Sequence, residues 1–195
     1  MEISTELIKK LRVQTGAGMM DCKKYLNQAK GDYNKAIEIF RKEGQKIASK
    51  KSTRVTADGL VESYIHPGNR VGVLIKVLCE TDFVSRNNEF KSLVHDLAMH
   101  IAAFDPQYIE AKNIPENIIA KEKEIYAEQL KKEKKPEKVM IKIVEGKLKK
   151  YYEEVCLLDQ KFLKDDKKTV RDYLTEKIAK IGENIQIGDF KRFSL

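Results

Sequence analysis

The sequence of 195 residues is poor in cysteine and in long apolar runs, and each shortage excludes a class of protein. Its three cysteines, Cys22, Cys79 and Cys156, lie far apart without a CxxC pair. This spacing argues against a zinc site or a disulfide framework and for a reducing compartment. No run approaches the roughly 18 apolar residues of a membrane span, and the N-terminal MEISTELIKK lacks the apolar centre of a signal peptide. We therefore expect a cytoplasmic protein without a membrane segment.

The motifs of common nucleotide-binding and metal-dependent enzymes are also missing. The chain has no GxxxxGK[ST] loop, no GxGxxG opening a helix and no HExxH. His95 and His100 are five residues apart, which places them about 140° apart on a helix and makes them a poor pair for one metal ion. We expect no catalytic residue, no metal site and no cofactor. A small enzyme using the carboxylates of Glu80 and Asp82 stays an alternative, although no pocket-lining companions accompany them.

Charged residues are abundant in the sequence. Charged residues make up 35% of the chain and hydrophobic residues 42%, which is a globular composition with a very polar surface. The formal net charge is +8, and an excess of this size favours acidic partners, nucleic acid included, without requiring one. A basic RNA- or ribosome-binding protein is therefore a second alternative, although no aromatic-rich basic strand motif is present.

The first fifty residues predict three short helices. Gly16 and Gly18 interrupt the chain after the first helix, and a second helix fits 19–29. Asp32 can cap a third helix. The apolar faces of the three helices are Ile3, Leu7, Ile8 and Leu11, then Met19, Cys22, Leu26 and Ala29, then Tyr33, Ala36, Ile37 and Phe40.

From residue 57 the apolar periodicity changes to that of strands. Alternation over 60–65 and again over 71–79, with HPGNR at 66–70 between them, predicts a β-hairpin. The sequence IQIGDFKRF at 185–193 also alternates and predicts a last strand that completes the sheet. One face of the second strand is formed by Val71, Val73, Ile75, Val77 and Cys79.

A long helix is predicted after TDFVSRN, and it ends before Asp105-Pro106. Met99 lies opposite its apolar face and His100 lies at the border of that face. A final helix is predicted at about 167–181. The apolar face of the long helix is Phe90, Leu93, Val94, Leu97, Ala98 and Ile101.

Residues 115–152 predict a helical hairpin that projects into water, with Pro136 at the start of its second arm. Eleven lysines against six glutamates in 121–152 give this hairpin a net charge of +5. These lysines form either a solvated face or a site for an acidic surface on a partner. The predicted fold class is α+β, a small antiparallel sheet covered by helices. The predicted domains are a three-helix module at 1–45, a basic linker at 46–56 and an α+β core at 57–195.

Two stretches resemble the signature motifs of the elongation factor Ts family. They are TGAGMMDCKKYLNQAKGDYNKAI at 15–37 and TDFVSRNNEF at 81–90, and shorter segments such as KIGENIQIGDFKRF extend the similarity over the whole chain. The resemblance implies a ubiquitin-associated-like N-terminal module and one core subdomain, as in the short members of the family. The chain departs mildly at Ser85-Arg86, where other members often carry Ala-Arg or Ala-Lys.

The resemblance also implies a function, a guanine-nucleotide exchange factor of elongation factor Tu. Such a factor binds the GDP form and the nucleotide-free form of its partner and promotes GDP release. In the family an Asp-Phe pair wedges into the partner near its magnesium ion. That role falls here on Thr81, Asp82, Phe83 and Val84, and it explains why a turn carries a large apolar ring. The alternative is that the Phe83 ring folds back into its own core.

Further partner contacts are implied at two other places. Arg12, Met19 and Met20 match contact positions of the N-terminal module. Met20 is expected at the surface, whereas Met19 lies on an apolar face and is expected in the core. Met99 and His100 lie on the helix that in the family presses toward the partner's phosphate-binding loop.

Both sets of contacts have structural alternatives. The methionines could simply pack the module, and His100 could be a satisfied helix-edge histidine. Short family members can pair into dimers, so a homodimer is a hypothesis for this chain. No direct contact with nucleic acid is expected.

Overall fold

The computed structural model describes residues 3–131 and 137–195, so the predicted helix start at Pro136 lies outside the described residues. Contacts along the chain divide it into two compact units. The first unit contains the residues up to Glu62 together with Ile75–Asp96 and Asp172–Gly188. The second contains Ser63–Leu74, Leu97–Arg171 and Asp189–Leu195. The functional division into a module, a linker and a core stays a prediction.

Three helices begin the chain, as predicted: α1 (Thr5–Thr15), α2 (Met19–Gln28) and α3 (Tyr33–Lys51). Asp32 caps α3, since its carboxylate accepts the Lys35 N–H at 3.1 Å. Gly16 ends α1 with a φ of 67°, in the left-handed region that favours glycine. The small core of these helices is formed by Ile8, Leu11, Cys22, Tyr25, Leu26, Ala29, Ala36 and Phe40.

The stretch 46–56, predicted as a linker, is helical as far as Lys51 because α3 does not stop at residue 45. Residues 45–51 read QKIASKK and contain no proline or glycine, and lysine, glutamine and alanine all favour helix. The basic character of this stretch therefore marks the solvated end of a helix.

The predicted small antiparallel sheet is confirmed, and with it the α+β fold class. Its strands β1 (Asp58–Ile65), β2 (Val71–Cys79) and β5 (Ile185–Ser194) lie in the order β1-β2-β5. The turn between β1 and β2 closes with the His66 N–H donated to the Val71 carbonyl at 2.9 Å. The predicted apolar face of β2 is buried at Val73, Ile75, Val77 and Cys79.

Helices follow the second strand and the predicted hairpin. They are α4 (Asp82–Arg86), α5 (Asn88–Phe104), α6 (Glu116–Lys131), α7 (Glu137–Val155) and α8 (Val170–Ile181). The two predicted arms of the hairpin are α6 and α7, which pack against each other. A feature not predicted is a two-stranded sheet of β3 (Lys161–Phe162) and β4 (Asp165–Thr169). Because β4 occupies residues 165–169, the final helix starts at Val170 and not at 167.

Gly59 of β1 offers a direct test of the packing of the sheet. A Cβ atom built on Gly59 would lie against the Val77 carbonyl and 2.9 Å from the Leu78 Cα, so backbone would have to move. We expect Gly59→Ala to lower the free energy of unfolding by about 1–3 kcal/mol, measured by urea denaturation. Gly146→Ala is the matched control, because nothing lies within 4 Å of the built atom and alanine favours the helix. Equal stability of the two variants would contradict the close approach of the strands.

Candidate functional site

Phe83 lies in water at the point where the chain leaves β2. The strand ends at Cys79, and Thr81 remains extended with φ −132° and ψ 158° before α4 begins at Asp82. Phe83 is the second residue of this short helix, and it is 84% exposed to solvent. In this structure the ring does not fold back into its own core, and a large apolar surface is left available.

The neighbours of Phe83 differ in how firmly they are held. Asp82 pairs with Arg86 at 3.0 Å on the exposed side of α4, and such an exposed pair contributes about 0–1 kcal/mol. Val84 is half-buried and Thr81 is exposed. The Asp82 carboxylate is therefore easily released from Arg86.

The backbone before α4 is held by a carboxylate about a hundred residues away in sequence. Glu183 Oε2 accepts the N–H groups of Glu80 at 3.0 Å and of Thr81 at 3.1 Å. Glu183 Oε1 accepts the hydroxyl proton of Thr81 at 2.6 Å. We call these three hydrogen bonds the turn clamp. All of its groups belong to the first compact unit.

A second set of hydrogen bonds joins the same two segments with the roles of donor and acceptor exchanged. Glu80 Oε1 accepts the Asn184 N–H at 2.6 Å, and this bond, helped by Arg54, holds the pKa of the Glu80 carboxyl below its usual range. The buried Asn184 side chain donates to the Arg54 carbonyl at 2.8 Å. The Glu80 carboxylate is thus engaged in contacts that hold this unit together.

The N-terminal module exposes apolar side chains both before and after the loop that joins α1 to α2. Met20 is 77% exposed, as predicted, and Arg12 is exposed as well. The expectation that Met19 lies in the core is wrong, because Met19 is 43% exposed. It is the first residue of α2, where no preceding helical turn covers it. Sequence periodicity also missed Val13, which is 88% exposed.

His100 is fully buried in the second unit and both of its ring nitrogens have partners. The Leu163 N–H donates to Nδ1 at 3.2 Å, so the neutral ring carries its proton on Nε2 and donates it to Gln160 Oε1 at 2.9 Å. The ring stacks on Phe104 with centroids 4.6 Å apart. Met99 is half-buried. The structure thus gives His100 a satisfied internal role, and a direct partner contact through its ring stays a prediction.

A metal site requires several histidine, cysteine or carboxylate side chains close together. Within 3–131 and 137–195, no group of three or more histidine, cysteine, aspartate or glutamate side chains could hold a metal ion. Burial raises the pKa of the Cys79 thiol to about 11, which leaves it protonated and unreactive. Each helix in the described part of the chain is too short or too polar to span a bilayer.

Comparison with known proteins identifies similar sequences along the full chain. The sequence profile of the family described as Elongation factor TS matches residues 6–195. The chain is 53% identical over 193 residues to Elongation factor Ts of Carboxydothermus hydrogenoformans, covering 99% of this chain and 89% of that protein. It is 52% identical over 195 residues to Elongation factor Ts of Thermodesulfovibrio yellowstonii, covering 100% and 97%. For Elongation factor Ts of Fervidobacterium nodosum the identity is 51% over 195 residues, covering 100% and 99%.

The buried His100 predicts a pH dependence of stability. Burial lowers the pKa of its imidazole below the usual value near 6.5, so on acidification the unfolded chain binds a proton before the folded chain does. The free energy of unfolding should therefore decrease from about pH 7 to about pH 5. In His100→Asn this decrease should be smaller. Identical pH profiles of urea unfolding for parent and variant would contradict the assignment.

Proposed function

This chain belongs to the elongation factor Ts family, and from that premise we propose that it is the guanine-nucleotide exchange factor of elongation factor Tu. It binds the GDP form of that protein, promotes release of GDP and holds the nucleotide-free form during translation elongation. This places the protein in the cytoplasm and assigns it no cofactor and no direct contact with nucleic acid.

The observation that carries the proposal is the exposed ring of Phe83. Burying a phenylalanine side chain contributes about 1.5–3 kcal/mol, and buried aromatic anchors dominate protein interfaces. The turn clamp holds the backbone immediately before this ring. A rigidly held apolar ring in water is suited to enter a pocket of another protein, because little conformational entropy is lost on binding.

Asp82 supplies the second part of the wedge. We assign its carboxylate the task of disturbing the water and side-chain network around the magnesium ion of elongation factor Tu. Magnesium neutralises the phosphates of the bound nucleotide, so loosening the ion weakens the grip on GDP. The surface ion pair of Asp82 with Arg86 opposes this exchange of partners only weakly. Thr81 and Val84 orient the two side chains from either end.

Exchange of this kind is a linkage effect and not a covalent reaction. The factor stabilises a conformation of its partner that binds nucleotide poorly, and by reciprocity nucleotide weakens the binding of the factor. No bond is made or broken in either protein. The proposed function therefore uses no catalytic residue and does not make this protein an enzyme.

The N-terminal module supplies a docking surface in this proposal. Arg12, Met19 and Met20, all of them exposed, contact the nucleotide-binding domain of elongation factor Tu. Methionine side chains adapt to irregular surfaces at small cost. Met99 and His100 contribute through α5, the helix that in this proposal presses toward the phosphate-binding loop of elongation factor Tu.

We also propose that two copies of the chain form a homodimer. The exposed apolar side chains at one end of the sheet support this, since Ile65, Leu74, Phe193 and Leu195 line one shallow concave surface in the second unit. A self-complementary apolar patch is the usual basis of a twofold dimer. Cys156 does not link the copies, because it is fully buried and burial raises the pKa of its thiol to about 11.

The exchange proposal predicts the behaviour of two variants. Catalytic amounts of the parent protein should speed the release of a fluorescent GDP from elongation factor Tu by orders of magnitude. Phe83→Ala should slow this release about 10- to 100-fold, because the loss of a buried ring is worth about 1.5–3 kcal/mol. Asp82→Ala should slow it about tenfold through loss of a charged contact.

Val55→Ala serves as the matched control, because Val55 is an equally exposed apolar residue in the same unit. It should leave the release rate unchanged, and circular dichroism should show all variants folded. Parent-like rates for both Phe83→Ala and Asp82→Ala would refute the wedge mechanism.

The homodimer is tested by sedimentation of the free protein. At tens of micromolar the parent should sediment as a dimer. Leu74→Glu should shift it to the monomer, because a twofold axis places the new charge on both sides of the interface. Val55→Glu should remain dimeric. A monomeric parent at this concentration would rule the dimer out.

A further inference from the structure

We propose that Glu183 is a positioning residue of the exchange reaction: through the turn clamp it fixes the direction in which Asp82 and Phe83 leave the sheet. This inference rests on the proposed exchange function. Glu183 lies between α8 and β5 and is no part of the wedge motif. Its hydrogen bonds in the turn clamp go to the backbone of Glu80 and Thr81 and to the Thr81 hydroxyl, which precede α4.

The geometry of the clamp supports a positioning role. Two consecutive backbone N–H groups and one hydroxyl converge on a single carboxylate, with distances of 2.6–3.1 Å. Hydrogen bonds to an ionised acceptor are stronger than neutral ones. Three bonds to two neighbouring residues fix the orientation of the chain as well as its position. The start of α4, and hence the direction of the Phe83 side chain, follows from that orientation.

Thr81 shows that the clamp takes precedence over local helix stability. A threonine before the first residue of a helix ordinarily accepts a backbone N–H with its hydroxyl. Here the Thr81 side chain makes no such cap to α4, and its hydroxyl proton is donated to Glu183 instead. Thr81 is a residue type that caps helices well, but here its hydroxyl makes a long-range hydrogen bond instead. This bond holds α4 in place and leaves the N-terminus of α4 without a side-chain cap.

The base of the clamp is tied to the helix that leads out of the docking module. Lys51, the last residue of α3, donates its Nζ to the Gly182 carbonyl, next to Glu183. Asn184 donates to the Arg54 carbonyl on the other side. All these groups belong to the first unit. The wedge is therefore held at a fixed place relative to α3, so a partner docked on the N-terminal helices meets the ring in one register.

Substitution of Glu183 tests the inference through the maximal rate of GDP release at saturating factor. Glu183→Ala removes all three hydrogen bonds of the turn clamp and should lower this rate about tenfold or more, because small misplacements of a group that must fit a site are costly. Glu183→Gln should stay within about threefold of the parent. Its amide oxygen can accept both N–H groups and its NH₂ group can donate to the Thr81 hydroxyl. Thr81→Val, which removes only the hydroxyl donor, should give an intermediate rate.

A double-mutant cycle separates positioning from a general loss of structure. In a background that carries both Asp82→Ala and Phe83→Ala, Glu183→Ala should add no more than about a twofold loss, because both groups that it positions are gone. Glu124→Ala, an exposed glutamate of the hairpin, should have no effect in either background. A parent-like rate for Glu183→Ala, or an equal loss in both backgrounds, would overturn the inference while leaving the exchange function intact.

Failure of the proposed function itself gives a different result. The parent protein would then not accelerate release, and the positioning role of Glu183 would fall with it. Hydrogen exchange at the Thr81 amide provides a readout that does not depend on activity. Protection in the parent and in Glu183→Gln, lost in Glu183→Ala, is expected, and equal protection in all three proteins would overturn the clamp.

Discussion

The proposed binding function depends on a large apolar ring that is held in water just after the end of a buried strand. Val77 and Cys79 are fully buried, yet four residues later Phe83 is almost completely exposed. Hydrophobic collapse alone would draw the ring inward. The Glu183 hydrogen bonds to Glu80 and Thr81 oppose this, because they fix the backbone between the strand and the helix. An exposed ring on a fixed backbone is suited to bind another protein.

The ionisable groups of the chain agree with a function in binding. His100 is buried and satisfied, and Glu89 binds Lys177 and Lys180, which keeps the pKa of its carboxyl low. Each of these groups stabilises the fold. Perturbed groups that gather in a cleft would indicate chemistry, whereas His100 and Glu89 in the described part of the chain are paired with structural partners. Large apolar side chains that stay exposed, among them Val13, Met20 and Phe83, are suited to contact other proteins.

Local patterns in the sequence predicted the elements of the fold well. Asp32 marks a helix start and Pro67-Gly68 marks the hairpin turn, because caps and turns depend on a few neighbouring residues. Helical periodicity failed at Met19, since a residue in the first turn of a helix lacks the neighbours that would bury it. It also failed at β4, where pairing with the neighbouring strand β3 overrides the helix propensity of its lysines.

The candidate site was predictable only in part. The Asp-Phe pair is visible in the sequence because a phenylalanine is unusual in the turn that the sequence predicts there, although the structure places Phe83 in the short helix α4. The partner of that turn, Glu183, is not visible, because it lies about a hundred residues away in an ordinary polar turn. Burial of His100 was equally hidden, since its partners Gln160 and Leu163 come from a segment whose strands the periodicity did not indicate.

Photo-crosslinking from position 83 tests the central claim most directly. A benzophenone amino acid in place of Phe83 should crosslink to the nucleotide-binding domain of elongation factor Tu, close to its magnesium site, and excess GDP should suppress the product. Mass spectrometry of the joined peptides identifies the contact. A stable complex in which position 83 crosslinks only within its own chain would contradict the account.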